Sequence, residues 1–238
     1  MRKAVNDPKA EGTTAMTRRL VAIGIPGLMA GGMTVASADA SLTTIELSPG
    51  GAGNPPAEFE FALYGEGEPG RWTVVHDPTT ADGLAIEHVS TDLHEDRFPL
   101  AVYRPLPLEN AEIDLRFKIV SGTMQSAGVA VCLRNPKNYY AVKASALEHR
   151  VDLILFLNGK IEQIDSAEAE VTLGRWHALK VVVNDDHFIA HLDQNRLFTT
   201  FDRSRMKDGR FALLTQEDNI TRFDQIRIRP LPNSYDRR

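Results

Sequence analysis

A strict alternation of charged and apolar residues occupies the middle of the chain, in the sequence Glu112-Ile113-Asp114-Leu115-Arg116-Phe117-Lys118-Ile119. Successive side chains of a β-strand point to opposite faces, so all apolar residues of this stretch share one face and all charged residues share the other. Such a pattern is typical of an antiparallel strand that covers a core on one side and meets solvent on the other. It therefore predicts an antiparallel β-protein.

The same period of two recurs along the chain from Glu58 onward, and no segment keeps a helical period for more than one turn. Val129 to Arg134 alternates before a turn at Asn135 to Asn138, and Asn158-Gly159 is the strongest hairpin signal because both residues tolerate a positive φ. Roughly a dozen strands separated by such turns predict an all-β fold, in which two antiparallel sheets pack as a jelly-roll sandwich.

Length and charge narrow the classes of protein that this chain can belong to. The 238 residues are 42% hydrophobic with a net charge of −5, and Lys and Arg are scattered, which argues against nucleic acid as a partner. We expect one sandwich domain over residues 58–232 and a short tail over 233–238. The single cysteine, Cys132, has no intramolecular partner, so the domain depends on its hydrophobic core.

No motif in the chain calls for a cofactor or a metal ion, and we expect none. His187 and His191 point to the same side of one predicted strand, but a rise of about 3.3 Å per residue separates them by roughly 13 Å. Both cannot bind one ion at about 2 Å. A hydrogen-bonded pair of His191 with Asp193, or an exposed strand face, accounts for them better.

The amino terminus has the order of an export signal. Thr17-Arg18-Arg19 precedes an apolar run from Leu20 to Val35, and Ala36 to Ala40 offers small-residue cleavage sites after Ala38 and Ala40. The paired arginines fit either a twin-arginine or a general secretion signal. Residues 1–40 are thus a predicted signal peptide, with translation starting at Met1 or Met16, and residues 41–57 a flexible leader. We expect a periplasmic or extracellular protein with no membrane span after processing.

Four motifs follow one another in the sandwich segment: Asn138 to Lys143, Asn158 to Lys160, Gly174 to Val181 and Phe223 to Ile226. Their order resembles the concanavalin A-like lectin/glucanase superfamily, and most of all its branch of exported bacterial proteins related to 3-keto-disaccharide hydrolases. The resemblance extends from about residue 61 to residue 230. It implies a concanavalin A-like sandwich whose partner is a carbohydrate or glycoside, with Trp176 in a packing role at one end.

A complete pair of catalytic carboxylates is not evident. Glu112-x-Asp114-x-Arg116 is close to the Glu-x-Asp-x-Glu motif of laminarinase-like members, but Arg116 stands where the second glutamate belongs. A retaining glycosidase needs two carboxyl groups about 5–5.5 Å apart, and arginine cannot donate the required proton. The sequence instead predicts a ladder of ion pairs on an exposed face, and the catalytic residues remain unassigned.

Five residues are the predicted ligand-binding set. Arg134, Tyr140 and Lys143 lie on adjoining strands of one hairpin and combine charged donors with an aromatic ring, as a sugar groove requires. Tyr140 and Lys143 share a face only if a bulge intervenes, because they differ by three positions. His149 and Glu217, in two polar loops, are placed to line the same groove from its ends.

Three functions fit these observations: a carbohydrate-recognition sandwich with little or no catalysis, a hydrolase or lyase of 3-keto-glycosides, and a structural envelope protein. The surface of the concave sheet discriminates among them. An open groove with polar and aromatic side chains favours sugar binding, whereas a face filled by apolar side chains favours the structural role.

The predicted cleavage sites give a direct expectation for the mature protein. We expect a chain that starts at Asp39 or Ser41, because the small residues at Ala36, Ala38 and Ala40 suit a signal peptidase. Mass spectrometry of the protein recovered outside the cytoplasm measures this. Recovery of a chain that still carries Thr17 to Val35 would mean a retained anchor.

Overall fold

The structure is a computed structural model that describes residues 41–105, 107–203, 206 and 209–232. The predicted signal peptide and the tail over 233–238 lie outside these residues. The described chain forms fifteen strands and one short 3-10 turn at Pro49–Gly51. None of the described residues belongs to a helix that is long and apolar enough to cross a bilayer.

The strands are β1 (Thr43–Thr44), β2 (Phe59–Tyr64), β3 (Arg71–His76), β4 (Leu84–Val89), β5 (Phe98–Tyr103), β6 (Ala111–Ser121), β7 (Ser126–Asn135), β8 (Asn138–Ser145), β9 (Arg150–Leu157), β10 (Lys160–Glu168), β11 (His177–Asn184), β12 (His187–Leu192), β13 (Asn195–Phe201), β14 (Arg210–Thr215) and β15 (Ile220–Pro230).

Two sheets contain all of these strands. Sheet A has the order β13-β12-β11-β6-β15-β4-β3, with β1 also paired to β15, and sheet B has the order β10-β9-β8-β7-β14-β5-β2. Neighbouring strands run antiparallel in both sheets. The prediction of an all-β, two-sheet antiparallel sandwich is confirmed.

Strand β6 lies inside sheet A between β11 and β15, with the alternation that its sequence predicts. Ile113, Leu115 and Phe117 face the core with at most 3% of their surface exposed. Full burial of one such side chain contributes about 2–3 kcal/mol. Phe117 stands directly opposite Phe223 on β15, and the hydrophobic core continues from this pair toward sheet B.

The hairpin of β7 and β8 contains a bulge that breaks the predicted alternation of Val129, Val131 and Leu133. Cys132 has a φ of 52°, and the register of the two strands shifts between Val131 and Asn135. Val129 and Val131 therefore face the sandwich core, while Leu133 faces the outer side of sheet B. Cys132 itself is buried and belongs to no disulfide.

The outer face of sheet B curls into a concave surface that is closed at one end. Phe98 on β5 and Phe156 on β9 have ring centroids 5.1 Å apart although three strands separate them. In a flat sheet these strands would lie about 19 Å apart. The Tyr64 hydroxyl also donates a hydrogen bond of 2.9 Å to the Gly159 carbonyl across this face, and Tyr139 stacks on Phe156. Aromatic rings therefore fill this end of the concave sheet.

Residues 41–57, expected to form a flexible leader, are attached to the sandwich at three places. Thr43 and Thr44 pair with β15, and Ile45 is buried in the core. Farther along, the Gly53 amide donates to the Val74 carbonyl on β3. The ordered part of the domain thus begins well before residue 58.

A buried histidine gives the fold a predicted sensitivity to acid. His88 is fully buried, with Nδ1 2.9 Å from the Asn219 carbonyl oxygen and Nε2 3.3 Å from that of Pro69. Burial lowers the pKa of His88 to about 4. Between pH 6.5 and pH 4, this histidine is therefore protonated in the unfolded chain but neutral in the native state. Proton binding then favours the unfolded chain, so stability is lost as the pH falls from 6.5 toward 4.

We expect the free energy of unfolding to fall by about 2 kcal/mol between pH 7 and pH 5 because of His88 alone. Urea denaturation of the wild type and of His88→Gln at both pH values measures this contribution. The variant should lose correspondingly less stability over this interval. Equal losses in the two proteins would assign the acid sensitivity to other groups.

Candidate functional site

A transverse row of charged and polar side chains crosses the outer face of sheet A. Asp114 on β6 lies opposite Lys180 on β11 and opposite Arg227 on β15, and Lys180 lies opposite His191 on β12. These four residues belong to the outward-facing set of their strands, since their neighbours in sequence face the core. The pairing therefore assembles Arg227, Asp114, Lys180 and His191 from four strands into one row.

The row borders an open groove with a volume of about 460 Å³. Arg116 and Ala178, which are opposite each other in register, lie along its side, and the small Ala178 side chain leaves the space between them open. Gln194 and Gln225 complete the polar lining. Both have a positive φ, 72° in the turn after β12 and 50° at the bulge in β15.

Ion pairs hold two of the cations that line the groove. Lys180 Nζ lies 3.0 Å from Glu112 Oε1, and Arg116 Nε donates a hydrogen bond of 2.9 Å to Asp224 Oδ1. Arg116 also contacts the second oxygen of Asp224, so the contact is bidentate. Arg227, in contrast, forms no ion pair within the described part of the chain. The ladder of ion pairs predicted for this face is present, with Arg227 left available to a ligand.

Burial shifts the pKa values of two groups in the groove. It raises the pKa of Asp114, an effect that Lys180 opposes. It lowers the pKa of His191, and the charges of Lys180 and Arg196 act in the same direction. His191 Nδ1 is buried and has no hydrogen-bond partner among the described residues. The groove therefore combines a neutral imidazole with a carboxyl group that takes up a proton more readily than usual.

A buried ion network lies beside the groove and is centred on Asp77, which is 1% exposed. Its carboxylate accepts hydrogen bonds from Lys118 Nζ at 2.6 Å and Arg222 Nη1 at 2.9 Å. Burial alone would raise the pKa of Asp77, but the donors Lys118, Thr79 and Arg222 hold it well below its usual range. The carboxylate therefore remains ionised and fixes these donors in place.

Trp176 belongs to the same surface, which corrects the packing role predicted for it. The indole Nε1 donates a hydrogen bond of 2.8 Å to Thr79 Oγ1, and the ring lies within about 5 Å of the charged groups of Arg116 and Lys118. The tryptophan that fills the core is Trp72, with 1% exposure. The alternation of side chains along the strand could have indicated this placement, because His177 faces inward and its neighbour Trp176 must then face outward.

Of the two interpretations of His191, the pair with Asp193 does not form, since Asp193 binds His177 instead. His177 Nδ1 lies 2.7 Å from Asp193 Oδ2, and the backbone N–H of Thr172 donates to Nε2 at 3.0 Å. The Nδ1 atom therefore carries the proton and donates it to the carboxylate. His177 thus has a structural role, and His191 is left to line the groove.

The five predicted ligand-binding residues do not form one site. Tyr140 is fully buried in the core, where its hydroxyl donates to Asp202 at 2.8 Å, whereas Lys143 faces the concave side of sheet B. The pairing of β8 with β9 is regular between them, so no bulge brings them to one face. Arg134 is exposed at the turn end of β7, far along the hairpin from Lys143.

The loops that carry His149 and Glu217 do approach Lys143. Lys143 Nζ lies 3.7 Å from Glu148 Oε2 and 3.5 Å from Gln216 Oε1, the residues just before His149 and Glu217. His149 itself lines an open depression beside three glutamates, and Glu217 is buried, which raises its pKa. Two of the predicted loops thus meet Lys143 at one end of the concave sheet through the residues next to His149 and Glu217, and the ligand role of all three residues remains a prediction.

Comparisons with solved structures agree with this architecture. No protein-family model matches the sequence, and no curated protein matches it. The carbohydrate-binding module CBM66 from Bacillus subtilis is similar, with a TM-score of 0.57, 17% identity, and coverage of 71% of this chain and 94% of that module. A Bacillus subtilis protein of unknown function with a galectin-like fold has a TM-score of 0.51 at 7% identity, covering 73% and 90%.

The chain has the jelly-roll fold of these sandwiches. This confirms the concanavalin A-like architecture that the motif order implies. At such identities the likeness establishes the fold alone. Membership of the 3-keto-disaccharide hydrolase branch stays a prediction.

The surroundings of Lys143 predict a structural contribution. Its side chain is 9% exposed, and it lies 3.9 Å from Asp152, a carboxylate with 1% exposure. We expect Lys143→Met to lower the free energy of unfolding by about 2 kcal/mol, because Asp152 and Gln216 lose a buried cationic partner. Urea denaturation at neutral pH measures the change. Lys160→Met, at an exposed position on β10, is the matched control, and equal effects of the two substitutions would contradict the assignment.

Proposed function

We propose that this protein is an exported carbohydrate-recognition domain, with little or no catalytic activity, that binds a saccharide in the groove on the outer face of sheet A. The observation that carries the proposal is the polar lining of that groove. Sugar hydroxyls donate and accept hydrogen bonds. Asp114 supplies an acceptor, Lys180 and Arg227 supply donors, and the amides of Gln194 and Gln225 supply both.

The groove is also organised before a ligand arrives. Arg116 is held by Asp224 and Lys180 by Glu112, so neither long side chain must lose much freedom on binding. Trp176 lies beside the groove with the charged groups of Arg116 and Lys118 over its ring, and this contact further restricts Arg116. The likeness in fold to the carbohydrate-binding module supports the proposal independently of these residues.

The concave face of sheet B is a weaker location for a saccharide. Its closed end is filled by aromatic rings, and the partners of Lys143 at the other end are protein side chains. A filled concave face was expected to favour a structural envelope protein. If the groove of sheet A binds no sugar, a role as a structural envelope protein is the remaining candidate.

A second candidate function, hydrolysis or elimination of a glycoside such as a 3-keto-disaccharide, is favoured by the placement of Asp114 and His191. They face one groove from either side of Lys180, on strands two spacings or about 10 Å apart. A carboxyl group with a raised pKa suits proton donation, and a neutral imidazole suits proton removal. Release of sugar products that Asp114→Asn and His191→Gln both abolish would establish it.

Binding to a glycan panel tests the leading proposal. We expect calorimetric titration of the mature protein to identify at least one binding saccharide, and Lys180→Met and His191→Leu each to weaken its affinity about tenfold by removing a polar contact. Trp176 fluorescence provides a second signal, because Trp72 is buried away from the groove.

Lys160→Met, on the far edge of sheet B, is the control and should bind as the wild type does. All variants should unfold at similar urea concentrations, since none of the replaced side chains belongs to the hydrophobic core. The absence of binding to every glycan, or unchanged affinity in both groove variants, would contradict a saccharide site at this place.

A further inference from the structure

A second depression adjoins the groove on sheet A. It has a volume of about 220 Å³, and its lining includes Glu46 next to β1, Asp82 in the turn before β4, and Asp224. Gln225 and Arg227 line both this depression and the groove. The two concavities are therefore neighbours across strand β15, which separates them.

The bulge in β15 explains why one strand serves both concavities. The register of β15 against β6 shifts between Asp224 and Arg227, and Gln225 adopts a φ of 50°. Ile226 is buried while Gln225 and Arg227 on either side of it are exposed. Both side chains thus project from the junction, and the guanidinium of Arg227 offers a fork of donors that no described carboxylate occupies.

The combined length of the two concavities exceeds what one sugar ring requires. They extend from His191 on β12 across β11, β6 and β15 to Thr44 on β1. Four strand intervals correspond to about 19 Å measured across the sheet. This distance is several times the width of a pyranose ring, so the surface accommodates a short chain of sugars that runs across the strands.

Charge indicates which chains suit the second depression. Glu46 and Asp82 are exposed carboxylates, and Asp224 is an acceptor already shared with Arg116. Carboxylates accept hydrogen bonds from sugar hydroxyls but repel an acidic sugar. A chain with a carboxylate on every unit would therefore meet repulsion in this depression, whereas a neutral chain would not.

We propose that the two concavities bind consecutive units of one neutral oligosaccharide, with Gln225 and Arg227 contacting it at the junction. This inference rests on the proposed function and adds to it the length and charge of the ligand. Short saccharides occupy the groove alone, and longer ones reach Glu46 and Asp82.

Size ladders provide the test, with neutral gluco-, xylo- and galacto-oligosaccharides of one to six units and oligogalacturonates of the same lengths as the acidic series. Calorimetric titration of the mature protein should show affinity that rises with length in one neutral ladder and then reaches a plateau. Asp82→Ala should weaken binding of the longest neutral chain about fivefold and leave that of the shortest binding saccharide unchanged. Arg227→Ala should weaken both, and Glu162→Ala, at an exposed position on β10, neither.

Each other result has a distinct meaning. Equal affinity for short and long neutral chains, with no effect of Asp82→Ala, would overturn the inference and leave a single-sugar site in the groove. Tighter binding of oligogalacturonates than of every neutral ladder would overturn the assignment of a neutral ligand. Failure of every ladder to bind the correctly folded wild type would remove the proposed function, and this inference with it.

Discussion

The two-sided character of strand β6 is the constraint on which the rest of the structure depends. One face must be buried because it carries Ile113, Leu115 and Phe117, and the other must stay outside because it carries charges. A slip of one residue against β11 or β15 would turn every side chain to the opposite face and bury the charged set without its partners. The register of the centre of sheet A is therefore strongly determined, and with it the row that joins Arg227, Asp114, Lys180 and His191.

The ion pairs on this outer face differ in what they contribute. Lys180 with Glu112 is a partly exposed pair, and such pairs add at most about 1 kcal/mol to stability. Asp77 is buried and bound by two cations and a threonine. Its removal would leave the buried Lys118 ammonium without an ionic partner, whereas Arg222 would keep its pair with Glu87. The Asp77 network thus acts as a rigid support that holds Lys118, Thr79 and, through them, Trp176. The exposed pairs mainly orient side chains that a ligand can reach.

The outer face of sheet A is open to a ligand, whereas the curvature of sheet B closes part of its outer face. Because its far strands approach each other, the rings of Tyr64, Phe98 and Phe156 meet and exclude solvent from one end. These contacts stabilise the curl through buried aromatic area, and they occupy the space in which a ligand would lie. The open polar surface of the molecule is therefore the outer face of sheet A, where the β15 bulge and the small Ala178 side chain leave concavities.

Local sequence patterns determined the strands, their turns and the division of β6 into a core face and a charged face, because side-chain alternation is a property of a few consecutive residues. They did not determine the bulge at Cys132, whose positive φ depends on how β7 meets β8 and β14 and which turns Leu133 outward. The sequence did not identify the partner of Asp193 either, since His191 lies two residues before it and His177 sixteen, and only packing selects between them. The groove could be recognised only in the tertiary structure, because the residues that line it, from Asp114 to Arg227, come from four strands. Which strands become neighbours is decided by the free energy of the whole sandwich and not by any local pattern.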